Sequence, residues 1–248
     1  MNERLKPILV IVATVGMISV NWMAAKGYIN NVTPEIISDK YPTFITPSGF
    51  AFAIWSLIYL GLIAFSIYQA LPKNDARFRP IRSIYILSCV ANCAWIYFWH
   101  YEMIPVCLAV IFVLLGTLVF INLNLRNSDS AAENWLARVP FGLYFGWVTV
   151  ATILNFTIAL VYLNVKFSDS TAIIAASLLI VSATILGIII RIKLSIYTYP
   201  LAIAWALTAI AVEQSGKTLI VFAAAFGVIA SLVATLSFVM DMKSSEIK

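Results

Sequence analysis

Polar and apolar positions in this chain do not alternate residue by residue; they fall in long blocks. Eight apolar runs stand out, at residues 7–25, 50–71, 83–100, 103–125, 140–164, 171–190, 197–212 and 218–242. Runs of about 20 residues, at about 1.5 Å rise each, match the hydrocarbon thickness of a bilayer. Each is therefore predicted as a transmembrane helix. Strands of a membrane barrel would need segments of about ten residues with in–out alternation, and no segment here has that pattern. The expected fold is an all-α polytopic bundle of about eight spans. Its least marked boundary is between the third and fourth, where only His100, Tyr101 and Glu102 interrupt the run. Pro105 just beyond suits the first turn of a new helix, where its missing N–H is not needed.

Composition makes the membrane assignment firm. Of 248 residues, 62% are hydrophobic and 11% charged, with a mean hydropathy of +0.96. A soluble domain carries roughly a quarter charged residues, so this chain could not wet its own outer face. The net charge of +5 reads as a topology signal rather than a nucleic-acid surface. With the N-terminus inside, the inner segments hold Arg4, Lys6, Lys73, Arg77, Arg79, Arg82, Arg126, Arg138, Arg191, Lys193, Lys243 and Lys248. The outer ones hold only Lys26, Lys40, Lys166 and Lys217. That asymmetry predicts both termini inside; the expected location of such a multi-pass protein is a bacterial cytoplasmic (inner) membrane. Arg4, Lys6 and Ala24-Ala25 outline a signal peptide, but the apolar run is long and Asn21-Trp22 would sit awkwardly before a cleavage site; the span is read as retained.

The first outer connection, residues 26–49, is the one long loop. Thr33-Pro34-Glu35 predicts a capped helix start, and Ile36, Ile37, Tyr41, Pro42 and Phe44 are too apolar to float in water. It is predicted as a partly ordered flap over the outer mouth of the bundle. Cys89, Cys93 and Cys107 all lie in apolar runs without a companion His, so they read as packing residues and no metal site is expected.

Aromatic and amide side chains share faces at helical spacing: Trp55 and Tyr59; Asn92, Trp95 and Trp99; Tyr144, Trp147, Ala151 and Asn155. Indoles ordinarily favour the interface belt, and a mid-span amide needs a partner that lipid does not supply. Two readings stay open from spacing. One is an aromatic pocket for a flat apolar ligand; the other is plain helix packing in which Asn pairs with Asn or with an indole N–H.

These residues carry a resemblance. Trp147-Val148, Ala151 and Leu154-Asn155, with Tyr144 ahead, are similar to the fifth-helix signature of the TspO/MBR family of tryptophan-rich sensory proteins, or translocator proteins. Asn92-x-x-Trp95 with Phe98 and Trp99 resembles its third-helix motif; Pro47, Trp55-Ser56-Leu57-Ile58-Tyr59 and Gly61 resemble its second. The likeness covers about residues 7–164. The chain departs from the pattern at Gly49, Ala51, Ala53 and Leu143, where the family has Trp, an aromatic, Pro and Pro. The resemblance implies a five-helix bundle over residues 1–166 with three additional helices over 167–248. It also implies a pocket under the first loop that takes porphyrins or sterol-like, isoprenoid or drug-like molecules, with porphyrin or haem as the candidate cofactor. Carried over by position, its lining is Trp55, Tyr59, Asn92, Trp95, Trp99, Tyr144, Trp147 and Asn155, with Phe50 and Phe52 standing in for missing family aromatics. The implied role is sensor, scavenger or carrier; the partners are the bilayer and a small hydrophobic ligand, not nucleic acid.

Two rival roles remain at this level. A secondary transporter would show internal repeats and mid-membrane charges, and neither is evident. An intramembrane enzyme would have to draw on His100 and Glu102 with Glu35 or Asp39, and His100 beside a carboxylate at a helix end reads first as a solvated terminus. No catalytic residue is assigned, and the chain reads as a binder before an enzyme. Glu213-Gln214 reads as an interface anchor. Gly142-x-x-x-Gly146 and Ala223-x-x-x-Gly227-x-x-x-Ser231 permit close helix approach, for internal packing or for a homodimer.

Overall fold

A computed structural model describes residues 5–127 and 130–246, with side chains described as far as Ser237; Arg4 and Lys248 lie outside the described residues, and so does the side chain of Lys243. The described residues form ten α-helices: α1 (Lys6–Ala25), α2 (Pro34–Lys40), α3 (Ile54–Tyr68), α4 (Asp75–His100), α5 (Ile104–Asn124), α6 (Ala131–Glu133), α7 (Val139–Tyr162), α8 (Asp169–Leu194), α9 (Thr198–Glu213) and α10 (Thr218–Glu246). Seven segments are long and apolar enough to cross a membrane. The eighth apolar helix, α9, has 16 residues, about 24 Å at helical rise and short of a full bilayer core.

Helix starts follow local chemistry. Thr33 caps α2 by accepting from the Ile36 amide, with Pro34 at the first position. Ser168 caps α8 from the Thr171 amide. The third span begins eight residues earlier than its apolar run suggests, because α4 continues through Arg77, Arg79, Pro80 and Arg82. Those polar residues are held rather than solvated. Buried Arg82 donates to Gln69 Oε1 and to the Gln69 carbonyl at 2.7 Å each, and pairs with Asp75. Gln69 in turn donates to the Pro7 carbonyl. Arg77 pairs with Glu133 and donates to the Asn124 and Asn127 carbonyls. One end of the bundle is thus knotted together, which offsets the cost of withdrawing these cations from water.

The second span is also divided: a 3₁₀ turn, Gly49–Ala53, precedes α3. A π-helical turn, Asn134–Arg138, leads into α7. Helix α7 is the centre of the molecule. Nearly every residue from Pro140 to Asn155 is buried, as expected of a helix apolar all round.

Helix α9 lies against α7 because α7 has no side chains in the way. A Cβ on Gly146 would sit 2.5 Å from the Tyr199 carbonyl oxygen and 2.9 Å from Ala202 Cβ; one on Gly142 would overlap Thr198 and Ile196. On α10, a Cβ on Gly227 would reach Leu207 of α9 and Thr184 of α8 at 2.5 and 2.6 Å. Both small-residue stripes are therefore occupied inside the chain. Tyr199 fills the α7–α9 seam, its hydroxyl donating to Thr149 Oγ1 at 2.9 Å. A single hydrophobic core runs from Val10 of α1 to Ala224 of α10.

Candidate functional site

Helices α3, α4, α5 and α7 converge beneath the flap around an inner cavity. Its lining includes Phe52, Trp55, Tyr59, Asn92, Trp95, Trp99, Tyr144, Trp147 and Asn155, nine of the ten residues singled out by spacing and resemblance. Phe50 is the exception. It lies in the 3₁₀ turn, is 43% exposed, and packs edge-on against Trp205 of α9 at 5.6 Å. Two residues apart on a 3₁₀ turn point in different directions, so only Phe52 can face inward. Ser38 of α2, Pro47, and an aliphatic floor of Ile58, Ile111, Leu114 and Val150 complete the lining; helical spacing does not mark them, because apolar residues in apolar runs carry no signal of which face they serve.

Helix packing and a cavity, posed as alternatives by the sequence, occur together here. Asn21 donates to Asn92 Oδ1 at 2.6 Å, and Asn92 donates to the Tyr144 hydroxyl at 2.9 Å, linking α1, α4 and α7. Trp95 donates to Asn155 Oδ1 at 3.1 Å and stacks on Trp99, ring centroids 5.4 Å apart. Trp99 donates to the Pro34 carbonyl of the flap. Asn92 and Asn155 therefore brace the helices. Asn21 carries the same signal, an amide inside an apolar run, masked in the sequence by the leader-like character of its segment.

The inner cavity is narrow, with a volume of about 50 Å³. That admits a few waters and falls short of the 300–1,000 Å³ typical of ligand sites. A second cavity of about 450 Å³ adjoins it, lined by Ile18, Asn21 and Trp22 of α1, Pro34 and Glu35 of the flap, and Phe50, Phe52, Ala53, Trp55, Ser56 and Tyr59. It lies between α1 and α3, where Trp22, Phe50 and Ser56 are exposed. The two cavities share Phe52, Trp55 and Tyr59. These form one aromatic wall: Trp147 to Phe52 at 6.2 Å, Phe52 to Trp55 at 5.5 Å, Trp55 to Tyr59 at 6.3 Å.

The outer mouth, by contrast, is tied down. Glu102, in the left-handed turn between α4 and α5, pairs with Lys40 at 2.6 Å and accepts from the Tyr41 hydroxyl at 2.6 Å. Asn30 donates to the His100 carbonyl. On the other side Gln214 donates to the Thr43 and Thr46 carbonyls, the Ser48 amide to the Ala209 carbonyl, and Trp205 to the Ala51 carbonyl at 2.9 Å. Gln214 is thus a flap brace rather than an interface anchor.

His100 differs from its expected place. It is fully buried, not a solvated terminus: Nδ1 lies 2.7 Å from the Ile96 carbonyl, and Nε2 has no partner. None of His100, Glu102, Glu35 and Asp39 lines the inner cavity, and of the four only Glu35 lines the larger one beside it. Among the described residues no group of three His, Cys, Asp or Glu is placed to hold a metal.

The Lys40 ammonium, then the Tyr41 hydroxyl, hold the Glu102 carboxyl below its usual range. Burial, then Glu102 itself, pushes the Tyr41 phenol up to about 12. Because the Glu102 value is lowered on folding, the clasp contributes fully above an ordinary glutamate pKa of about 4.3. Its contribution fades as pH falls through the lowered value. Glu102→Gln is expected to speed amide hydrogen exchange in α2 about two- to fivefold at neutral pH, the scale of an exposed ion pair. The wild type should reach the same rate, corrected for intrinsic exchange, only in acid. Identical exchange in both proteins at neutral pH would remove the clasp from the account.

A TSPO-like protein family model matches residues 7–238. The chain belongs to that family. The match runs on from the five-helix portion through α8 and α9 into α10. No curated protein and no solved structure matches the chain. Membership, with the seven long apolar helices, makes this an integral membrane protein.

Proposed function

We propose that this TSPO-like protein binds a small, flat, hydrophobic molecule in the aromatic site beneath its flap, as a scavenger, sensor or carrier. The observation that carries this reading is the shared wall. Phe52, Trp55 and Tyr59 line both a narrow inner cavity and an adjoining one of about 450 Å³, the second of which is by itself of ligand size. The larger cavity faces the membrane between α1 and α3, whereas the watery mouth is bonded shut, so the ligand arrives from the bilayer. That route suits molecules of porphyrin, sterol-like or isoprenoid character, which partition into lipid. The distribution of Lys and Arg supports termini on the cytoplasmic side and, with them, a site in the outer half of the membrane.

Purified protein in mild detergent tests this. Titration with a flat apolar chromophore is expected to quench tryptophan fluorescence saturably. Trp55→Ala, which removes the wall, should change the affinity about tenfold or more, whereas Trp135→Phe, distant and exposed, should not. Lack of saturable binding by porphyrin or sterol probes, with nothing co-purifying in mass spectrometry, would defeat the proposal.

A further inference from the structure

The larger cavity, between α1 and α3, has an electrostatic character that the inner one lacks. Five aromatic rings line it, those of Trp22, Phe50, Phe52, Trp55 and Tyr59, and two acceptors stand among them, Asn21 and Glu35. Asn21 is 1% exposed; its amide nitrogen donates to the Met17 carbonyl and to Asn92 Oδ1, while its own Oδ1 is buried without a partner. An amide oxygen can only accept. Glu35, half-buried at the rim, accepts from the Thr33 hydroxyl at 3.4 Å and forms no ion pair among the described residues. No described Lys, Arg or His lines this cavity, and Lys26, just past the end of α1, is exposed and outside the lining.

Each of these features calls for the same complement. Aromatic faces attract a cation that comes within about 6 Å. A buried oxygen without a donor costs free energy, and a carboxylate partly withdrawn from water favours a positive partner. A protonated amine satisfies all three, because it carries the charge and the N–H donors on one atom. The cavity is also graded in depth. Glu35, Trp22 and Ala25 mark its outer end, where an indole sits at headgroup level, and Ile18 lies about 10 Å deeper along α1. We infer that this cavity is a site for an amphiphilic amine in its protonated form. The ammonium lies among Glu35, Asn21 and the Trp22 indole, and the apolar body lies against Phe52, Trp55 and Tyr59. This goes beyond the flat-ring site proposed above: it gives the outer cavity a ligand class of its own and does not require the inner cavity to be filled.

Three probes with one ring and one linker separate charge from apolar surface: pyrenebutylamine, a cation at neutral pH; pyrenebutanol, neutral; and pyrenebutyric acid, an anion. Binding to the full chain in a nonionic detergent is followed by pyrene emission on tryptophan excitation, with partition into empty micelles subtracted. The amine is expected to bind about tenfold more tightly than the alcohol, and the acid no better than the alcohol. Glu35→Gln should weaken amine binding about fivefold or more and leave the alcohol unmoved. Trp22→Leu, at a position 54% exposed, should weaken the amine about two- to tenfold. An amine that binds no better than the alcohol overturns the inference. So does an amine preference unchanged in both variants, which would put the ammonium elsewhere. If no pyrene probe binds, this cavity is not a site, whereas the porphyrin and sterol titrations decide the flat-ring reading separately.

Discussion

Gly146→Leu is expected to pry α9 from α7 and prevent the bundle from closing. Even a Cβ at this position would stand 2.5 Å from the Tyr199 carbonyl oxygen, a backbone atom of α9 that cannot swing aside. Overpacking a tight seam by a methyl costs about 1–3 kcal/mol, so Gly146→Ala alone should lower the thermal midpoint in detergent by several degrees. Leucine adds three more carbons to the same contact. Little folded protein should then be recovered, or the Tyr199–Thr149 hydrogen bond should be lost. Gly16→Ala and Gly116→Ala are the controls. Neither Cβ would meet anything within 4 Å, and each replaces the residue with the larger helix-forming penalty, so neither should destabilise. A normal midpoint for Gly146→Leu would mean that α7 and α9 do not pack as described.

The second large effect is expected at Trp205. This indole joins α9 to the 3₁₀ turn, donating to the Ala51 carbonyl and packing on Phe50. The same turn carries Phe52 into the inner cavity. Trp205→Ala removes the hydrogen bond and the ring contact together. Truncating a buried aromatic costs about 3–5 kcal/mol, and with Trp205 38% exposed the expected loss is about 2 kcal/mol. Amide exchange at Gly49–Ala53 should rise at least about tenfold, and ligand dissociation should accelerate with it. Trp205→Phe keeps the ring and loses only the donor, so its effect should stay within about two- to tenfold. Unchanged exchange in Trp205→Ala would show that α9 does not hold the turn.

Both expectations concern α9, the element about which the sequence said least. In the sequence it is one apolar run among eight, residues 197–212, with no visible purpose. In the fold it is the inner face of the C-terminal helices and half of the flap's support, through Trp205, Ala209 and Gln214. Its partners are some 150 to 170 positions away in the chain, a distance over which no periodicity carries information. His100 went the same way: its neighbours along the chain suggested water, whereas tertiary packing buried it completely.

What the sequence alone determined was set by local geometry. Helix rise and bilayer thickness fix the length of an apolar run, which made the spans readable. Helical spacing fixes which side chains share a face, which placed Asn92, Trp95 and Trp99 on one side of α4 and Tyr144, Trp147 and Asn155 on one side of α7. What only the tertiary structure decided was which of those groups find each other. It joined Asn21 to Asn92 and Trp95 to Asn155, turned Phe50 out and Phe52 in, and left Trp55, Tyr59 and Trp147 without a hydrogen-bond partner among the described residues beside a cavity. A hydrogen bond between helices depends on their separation and rotation, which arise from packing across the whole bundle and are written in no single segment.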